Sequence, residues 1–202
     1  MNQKERMLAG LPYDSTVDGL PEERIRAKLL CKQLNESPDY DPAAMRAVLH
    51  ELLGGHGERY FIEPPFRCDY GSNIEIGDCF YANYNLIILD CAKVTIGDHV
   101  LIGPNVCITT AGHPIHPLSR DKYEYAAPIT IGSRVWIGAN VVINPGVTIG
   151  EGSVIGSGSV VTKDVPPMVV AAGNPCRVIR PITDEDIDRY YKDRCFDVDD
   201  YR

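Results

Sequence analysis

A six-residue period in aliphatic side chains constrains this chain more than any other feature. From Ile129 onward, Ile131, Ile137, Ile143, Ile149, Ile155 and Val161 recur at a strict interval of six. Each is followed by a small or polar residue (Gly132, Gly138, Asn144, Gly150, Gly156, Thr162) and preceded two places earlier by Ile129, Val135, Val141, Val147, Ser153 or Ser159. Upstream, Val94/Ile96, Val100/Ile102 and Val106/Ile108 form one set of three, and Ile74/Ile76, Phe80/Ala82 and Leu86/Ile88 a looser one. Residues two apart on a strand share a face, so each hexad offers two inward side chains. A helix is excluded, because six is not a multiple of 3.6 and β-branched residues crowd helical turns. Three short strands and three turns close a triangular coil of about 18 residues, and such coils stack as a solenoid. The glycine after an inward residue is expected to let the backbone turn without a Cβ clash.

Twelve hexads are read in this way, in four groups of three, interrupted by two extra residues near Asp90 and by seventeen between Ile108 and Ile131. Burying one Ile or Val stabilises by about 1.5–3 kcal/mol, whereas ordering each residue's backbone costs about 1–2 kcal/mol. One coil therefore cannot stand alone, and its neighbours must supply hydrogen bonds and packing. Between Ile129 and Lys163 the only charged residues are Arg134, Glu151 and Lys163. So low a charge density predicts that an outer face packs against another subunit. Trp136, at an outward position, is expected on that face or beside a ligand cleft.

The flanks read as helical. Ile25, Leu29 and Leu30 lie at helical spacing after Pro21, with Glu22 and Glu23 in the first turn. Asp41-Pro42 is an N-cap and first-turn pair opening a second helix through Met45, Val48, Leu49, Leu52 and Leu53, stopped at Gly54-Gly55. Thr183, with Asp186 three residues on, predicts a capping box and a short final helix. The expected organisation is a helical segment at 1–58, a solenoid at 59–182 with an inserted loop at 110–128, and a final helix with an acidic tail at 183–202. The appendages are expected to cover the open ends of the solenoid.

Charge narrows the function classes. Lys and Arg number 20 against 28 Asp and Glu, a net charge of −8, which argues against a broad nucleic-acid surface. Residues 183–202 hold eight acids (Asp184, Glu185, Asp186, Asp188, Asp193, Asp197, Asp199, Asp200) against four bases and read as a solvated face. No apolar run reaches the roughly 18 residues of a membrane span. The first residues lack the apolar core of an export signal. Seven cysteines, an odd number with no C-x-x-C pair, disfavour a disulfide framework and a structural zinc site and point to a reducing cytoplasm.

The inserted loop holds Gly112-His113-Pro114-Ile115-His116, and a long loop in a regular solenoid has no packing reason to exist. His113 is a candidate general base, held between Gly and Pro. The loop resembles the catalytic loop of the hexapeptide-repeat sugar O-acetyltransferases, the galactoside and maltose enzymes. Phe80-Tyr81-Ala82-Asn83-Tyr84-Asn85, Cys68-Asp69-Tyr70-Gly71, Pro12-Tyr13-Asp14 and the run from Val160 to Asp164 and on to Arg180 resemble further segments of that family.

The resemblance implies a mainly β fold, a left-handed parallel β-helix, assembled as a homotrimer with sites between subunits. It implies an acetyl-CoA-dependent transfer in which His113 deprotonates a sugar hydroxyl and Asn83 steadies the oxyanion. Asp14, Asp69, Asn83 and Tyr81 would contact the acceptor. Coenzyme A would lie along Ala139, Ser157, Thr162, Lys163, Arg177 and Arg180, with the Ala139 N–H directed at the thioester oxygen. Some galactoside enzymes carry a second acid after the position of Asp90, where this chain has Cys91, so a sugar contact from that position is not expected. Serine or antibiotic acetylation is the nearest alternative, and the segment from Met7 to Glu23 argues against both. A metal-dependent hydratase of the γ-carbonic-anhydrase type needs three converging His, and only His99 lies on a regular coil. A non-catalytic solenoid would have no use for His113, Asn83 and a basic coenzyme segment together. No metal is expected, and no nucleic-acid or membrane partner.

Overall fold

The computed structural model describes residues 1–37 and 41–198. Three parallel faces form a prism. The first face stacks β1 (Gly55–His56), β4 (Ile74–Ile76), β7 (Val94–Ile96), β12 (Ile129–Ile131) and β15 (Thr148–Ile149). The second stacks β2 (Tyr60–Ile62), β5 (Phe80–Ala82), β8 (Leu101–Ile102), β13 (Trp136–Ile137), β16 (Val154–Ile155) and β18 (Val169–Ala172), with β19 (Arg177–Pro181) folded back antiparallel on β18. The third stacks β3 (Phe66–Cys68), β6 (Leu86–Leu89), β9 (Cys107–Thr109), β14 (Val142–Ile143) and β17 (Val160–Val161). The chain therefore winds through about six coils.

The hexad positions fill the interior as the period requires. Ile131, Ile137, Ile143, Ile149, Ile155 and Val161 are buried, as are the residues two before each, including Ser153 and Ser159. The two serines are satisfied inside: Ser153 Oγ donates to the Pro166 carbonyl at 2.7 Å, and Ser159 Oγ accepts from the Gly173 N–H at 3.0 Å. The first coil was not among the twelve hexads, although Tyr60/Ile62 and Phe66/Cys68 are its inward pairs and keep the interval of six. Its aromatic and cysteine side chains hide the aliphatic rhythm. Residues 55–56, expected in the helical segment, already belong to the prism.

The glycines need a corrected explanation. Positive φ falls two residues after them, at Cys79, His99, Asn105, Arg134 and Asn140. Gly97 and Gly138 are required by the next coil instead: a Cβ would lie 2.6 Å from Ser133 N and 2.7 Å from Ser157 N.

Helices cover the first coil. α1 (Gln3–Leu8), which the sequence reading did not anticipate, is closed by a capping box of Asn2 and Glu5. α2 (Leu20–Asn35) and α3 (Pro42–Leu52) pack on each other and on Tyr60, Ile62 and Phe66. The Asp41 carboxylate accepts the Ala43 N–H at 2.9 Å, as its N-cap role predicts. The buried stripe of α2 is Leu20, Ala27, Leu30, Cys31 and Leu34, while Ile25 and Leu29 face outward. At the other end, Thr183 and Asp186 do form a capping box, but it opens a single 3-10 turn (Asp184–Asp186) rather than a helix. The chain then turns into a hairpin of β20 (Arg189–Tyr191) and β21 (Arg194–Cys195). Asp199 and Asp200 of the acidic tail lie outside the described residues.

All seven cysteines are free thiols, and Cys31, Cys68, Cys91 and Cys176 are buried. No helix of the described residues is long and apolar enough to cross a membrane.

Candidate active site at two edges of the prism

Every departure from the hexad rhythm falls on one edge, where the third face turns into the first. The steps from Cys68 to Ile76 and from Ile88 to Ile96 are eight residues rather than six, and the long insertion follows β9. Asp69, Cys91 and the His113 loop are therefore stacked on successive coils of the same edge. The buried carboxylate of Asp90 stitches the two short insertions together. It accepts the Asp69 N–H at 3.0 Å, the Tyr70 N–H at 2.9 Å and the Asn73 N–H at 3.3 Å. Burial pushes its pKa up to about 6 against the pull of those backbone donors.

The insertion is anchored by a short ladder and a clasp. β10 (Ala111–Gly112) pairs antiparallel with β11 (Tyr125–Ala126), and α4 (Pro117–Arg120) bridges them. Gly112 lets the Tyr125 ring lie close over the backbone, since a Cβ there would come within 2.6 Å of its tip and push it aside. Tyr13 and Glu124 exchange backbone hydrogen bonds, each of 3.0 Å. Glu124 also accepts from Tyr13 OH at 3.0 Å and from Ser15 Oγ at 2.7 Å. Both carboxylate oxygens are thus used to hold the N-terminal segment against the loop, and neither orients the imidazole. Beneath the clasp, Met7, Tyr13, Leu20, Tyr70, Cys91, Ala92 and Ala126 form a second small core.

The clasp places His113 and Asp14 on the walls of one cleft of about 480 Å³, together with Ser15, Thr16, Arg120 and Lys122. Thr16 donates to Asp14 through its backbone N–H at 2.9 Å and its hydroxyl at 2.6 Å, which holds that carboxyl below its ordinary pKa. Asp69 opens instead into a neighbouring cavity of about 460 Å³ between α2 and the third face, beside Lys28, Lys32 and Arg67. Arg24 links the two regions, donating to Ser15 O at 2.7 Å and to Tyr70 OH at 2.8 Å. Ser15 and Arg24 were missed in the sequence, and Glu124, open there as a partner for His113, instead clasps Tyr13 and Ser15. The repeated eight-residue step at Asp69 and Asp90, together with the long insertion, is the signal that points to this edge.

Asn83, Ala139 and Ser157 stand on a different edge, between the second and third faces. Asn83 Oδ1 accepts the Tyr84 N–H at 2.7 Å, and its Nδ2 donors have no partner among the described residues. Tyr81 projects from the second face, stacks on Phe61 and reaches Glu63 at 3.5 Å. Here the Ala139 N–H donates to Ser157 Oγ at 3.1 Å, so it reaches a thioester only after that hydroxyl rotates away. Thr162 and Lys163 follow β17 on the His113 edge and are exposed. Arg177 is exposed near the Asn83 edge, with one guanidinium nitrogen donating to Cys176 O at 2.7 Å. Arg180 is already committed to Asp186 through two bonds of 2.8 and 2.9 Å.

One chain therefore does not bring Asn83 to His113. A side of the prism, six residues and up to about 20 Å of extended backbone, lies between their edges. Among the described residues, no three His, Cys, Asp or Glu side chains group as a metal ion would need.

The outer faces are unequal. Phe61, Tyr81, Leu101, Trp136, Val154 and Val170 are in register along the second, and Ile87, Cys107, Val142 and Val160 along the third. Glu75, Thr95, Thr130 and Thr148 line the first.

The sequence and fold match known proteins over nearly their whole length. Residues 6–57 fit the model of the maltose acetyltransferase hexapeptide capping motif, and residues 128–163 that of the bacterial transferase hexapeptide (six repeats). The chain is 53% identical to the galactoside O-acetyltransferase of Escherichia coli (strain K12), over 96% of each chain. It is similar to a solved galactoside acetyltransferase in complex with coenzyme A, with a TM-score of 0.95 and 51% identity over 98% of this chain and 100% of that one. It also matches a maltose O-acetyltransferase from Clostridium difficile 630, with a TM-score of 0.90 and 46% identity over 91% of this chain and 99% of that one. The prism is accordingly the left-handed parallel β-helix of these enzymes, and the chain belongs to the family of hexapeptide-repeat sugar O-acetyltransferases.

Proposed function

We propose that this protein transfers an acetyl group from acetyl-CoA to a hydroxyl of a sugar, with a galactoside or a maltose/glucose acceptor. The observation that carries the reading is the cleft shared by His113 and Asp14, in a chain of this family. His113 takes the acceptor hydroxyl proton as the oxygen attacks the thioester carbonyl. The new C–O bond forms, the C–S bond breaks, and the proton passes from the imidazolium to the departing thiolate. Asn83 Nδ2 and the Ala139 N–H donate to the oxyanion in the tetrahedral intermediate. Asp14 and Asp69 accept hydrogen bonds from sugar hydroxyls, and Tyr81 walls the acceptor. Ser157 and Thr162 line the pantetheine arm. Lys163 and Arg177 meet its phosphates, while Arg180 contributes only if it leaves Asp186.

The site forms between copies of the chain in a homotrimer. Two apolar outer faces flank the Asn83 edge, and the assembly that completes the site is one that sets that edge against the His113 edge of the next copy. The seven free thiols suit a reducing cytoplasm. An acceptor screen with acetyl-CoA, following thiol release across galactosides, glucose, maltose, serine and chloramphenicol, tests the reading. Turnover confined to sugars is expected, and turnover of serine or chloramphenicol alone would overturn it.

A further inference from the structure

The residue after Asp90 is a cysteine, and its thiol is not idle. Cys91 is buried on the same edge as Asp69, one coil further along, and its Sγ donates to Asp69 Oδ2 at 3.5 Å. The Asp69 main chain is fixed separately, by the Asp90 carboxylate on its N–H. Arg24 donates to Tyr70 OH and Ser15 O, and Arg67, Lys28 and Lys32 line the same cavity as Asp69 without a hydrogen bond to it among those of the described residues. Among the hydrogen bonds of the described residues, the thiol alone engages the Asp69 carboxylate. We propose that Cys91 is a positioning residue for acceptor recognition, a neutral donor that aims the Asp69 carboxylate. The inference rests on the reading of Asp69 as an acceptor contact.

The chemistry favours a neutral group at this point. Burial raises the Asp69 pKa, and the Cys91 hydrogen bond pulls it back, helped by Arg24 and Lys28 and opposed by Glu124; Asp90 stands beneath its backbone. Burial also pushes the Cys91 thiol up to about 12, so it remains a donor throughout the neutral range. An acid in its place would set two carboxylates against each other, and one of them would have to hold a proton. Cys91 and Asp69 thus form a matched pair in which a single charge faces the acceptor.

The sign of the pH dependence follows. Acceptor binding needs the ionised Asp69, so it is present above that group's pKa and lost as pH falls through it. Removing the thiol raises that pKa and moves the loss to higher pH. The pH profile of acceptor KM, read apart from that of kcat, isolates the Asp69 contribution.

The test compares Asp69→Asn, Cys91→Ala, Cys91→Ser and Cys91→Asp, with acetyl-CoA and whichever of methyl galactoside, glucose or maltose is acetylated. Cys91→Ala is expected to raise acceptor KM on the order of threefold to tenfold, with kcat and the KM for acetyl-CoA within about twofold. The acidic rise in acceptor KM should move to higher pH, further in Cys91→Asp, and Cys91→Ser should return it toward the parent. A Cys91→Ala enzyme with unchanged acceptor KM and pH profile, beside an Asp69→Asn enzyme with raised KM, overturns the role of Cys91 alone. An Asp69→Asn enzyme with unchanged KM overturns the acceptor contact and this inference with it. Equal losses with both substrates and no rescue by Ser would reduce Cys91 to a packing residue.

Discussion

His113 sits where Gly112 passes beneath the Tyr125 ring and Pro114 stiffens the following backbone, so the imidazole stands exposed on a constrained stem facing Asp14. In the proposed mechanism the base has one task that no neighbour duplicates. His113→Ala is expected to lower kcat by about 10²–10⁴-fold, while acetyl-CoA binding measured by calorimetry stays within about twofold. Asn83→Ala should cost on the order of 10²-fold in kcat, because Nδ2 acts only on developing charge. Both positions stood out in the sequence, since Gly-His-Pro and Ala-Asn-Tyr are contiguous strings. The role of Glu124 did not, because its partners Tyr13 and Ser15 lie more than a hundred residues away.

The edge between the third and first faces concentrates polar groups that a plain hexad corner would not need. Asp90 anchors it with three backbone donors and no arginine or lysine among its bonded partners. Asp90→Ala would strand those N–H groups, and a loss of about 2–4 kcal/mol is expected in urea denaturation. The pH dependence carries its own sign. The folded pKa of about 6 exceeds the unfolded value near 3.9, so the folded state binds more protons between them. This group's contribution to stability therefore falls as pH rises through that window, by about 2–3 kcal/mol. Asp90→Asn lacks that slope, so the stability of the parent relative to this variant should decline between about pH 4 and about pH 7. On the opposite flank of the chain, Thr183 and Asp186 show how a correct local signal can mislead. The capping box forms, but no apolar face follows it for a helix to bury, and one turn is all that results.

Two apolar outer faces and one polar face suit the proposed trimer, in which the apolar pair would be covered. Trp136 is 54% exposed and Leu101 49%, adjacent on the second face. Trp136→Glu is expected to convert a trimer to monomers in sedimentation equilibrium and to abolish turnover without loss of the β signal in circular dichroism. A trimer that persisted in the variant would remove this face from the assembly. The period of six determined the prism, its interior residues and the inwardness of Ser153 and Ser159, because strand alternation and coil closure are local consequences of spacing. The family strings likewise marked His113, Asn83 and the coenzyme segment. Only the tertiary structure decided that those groups divide between two edges, that Arg180 is held by Asp186, and that Cys91 meets Asp69. The first and last of these depend on which coil lies above which, and stacking juxtaposes residues some twenty apart or more in a way no nearest-neighbour pattern records; the Arg180–Asp186 pair, six residues apart, depends on how β19 leads into the 3-10 turn.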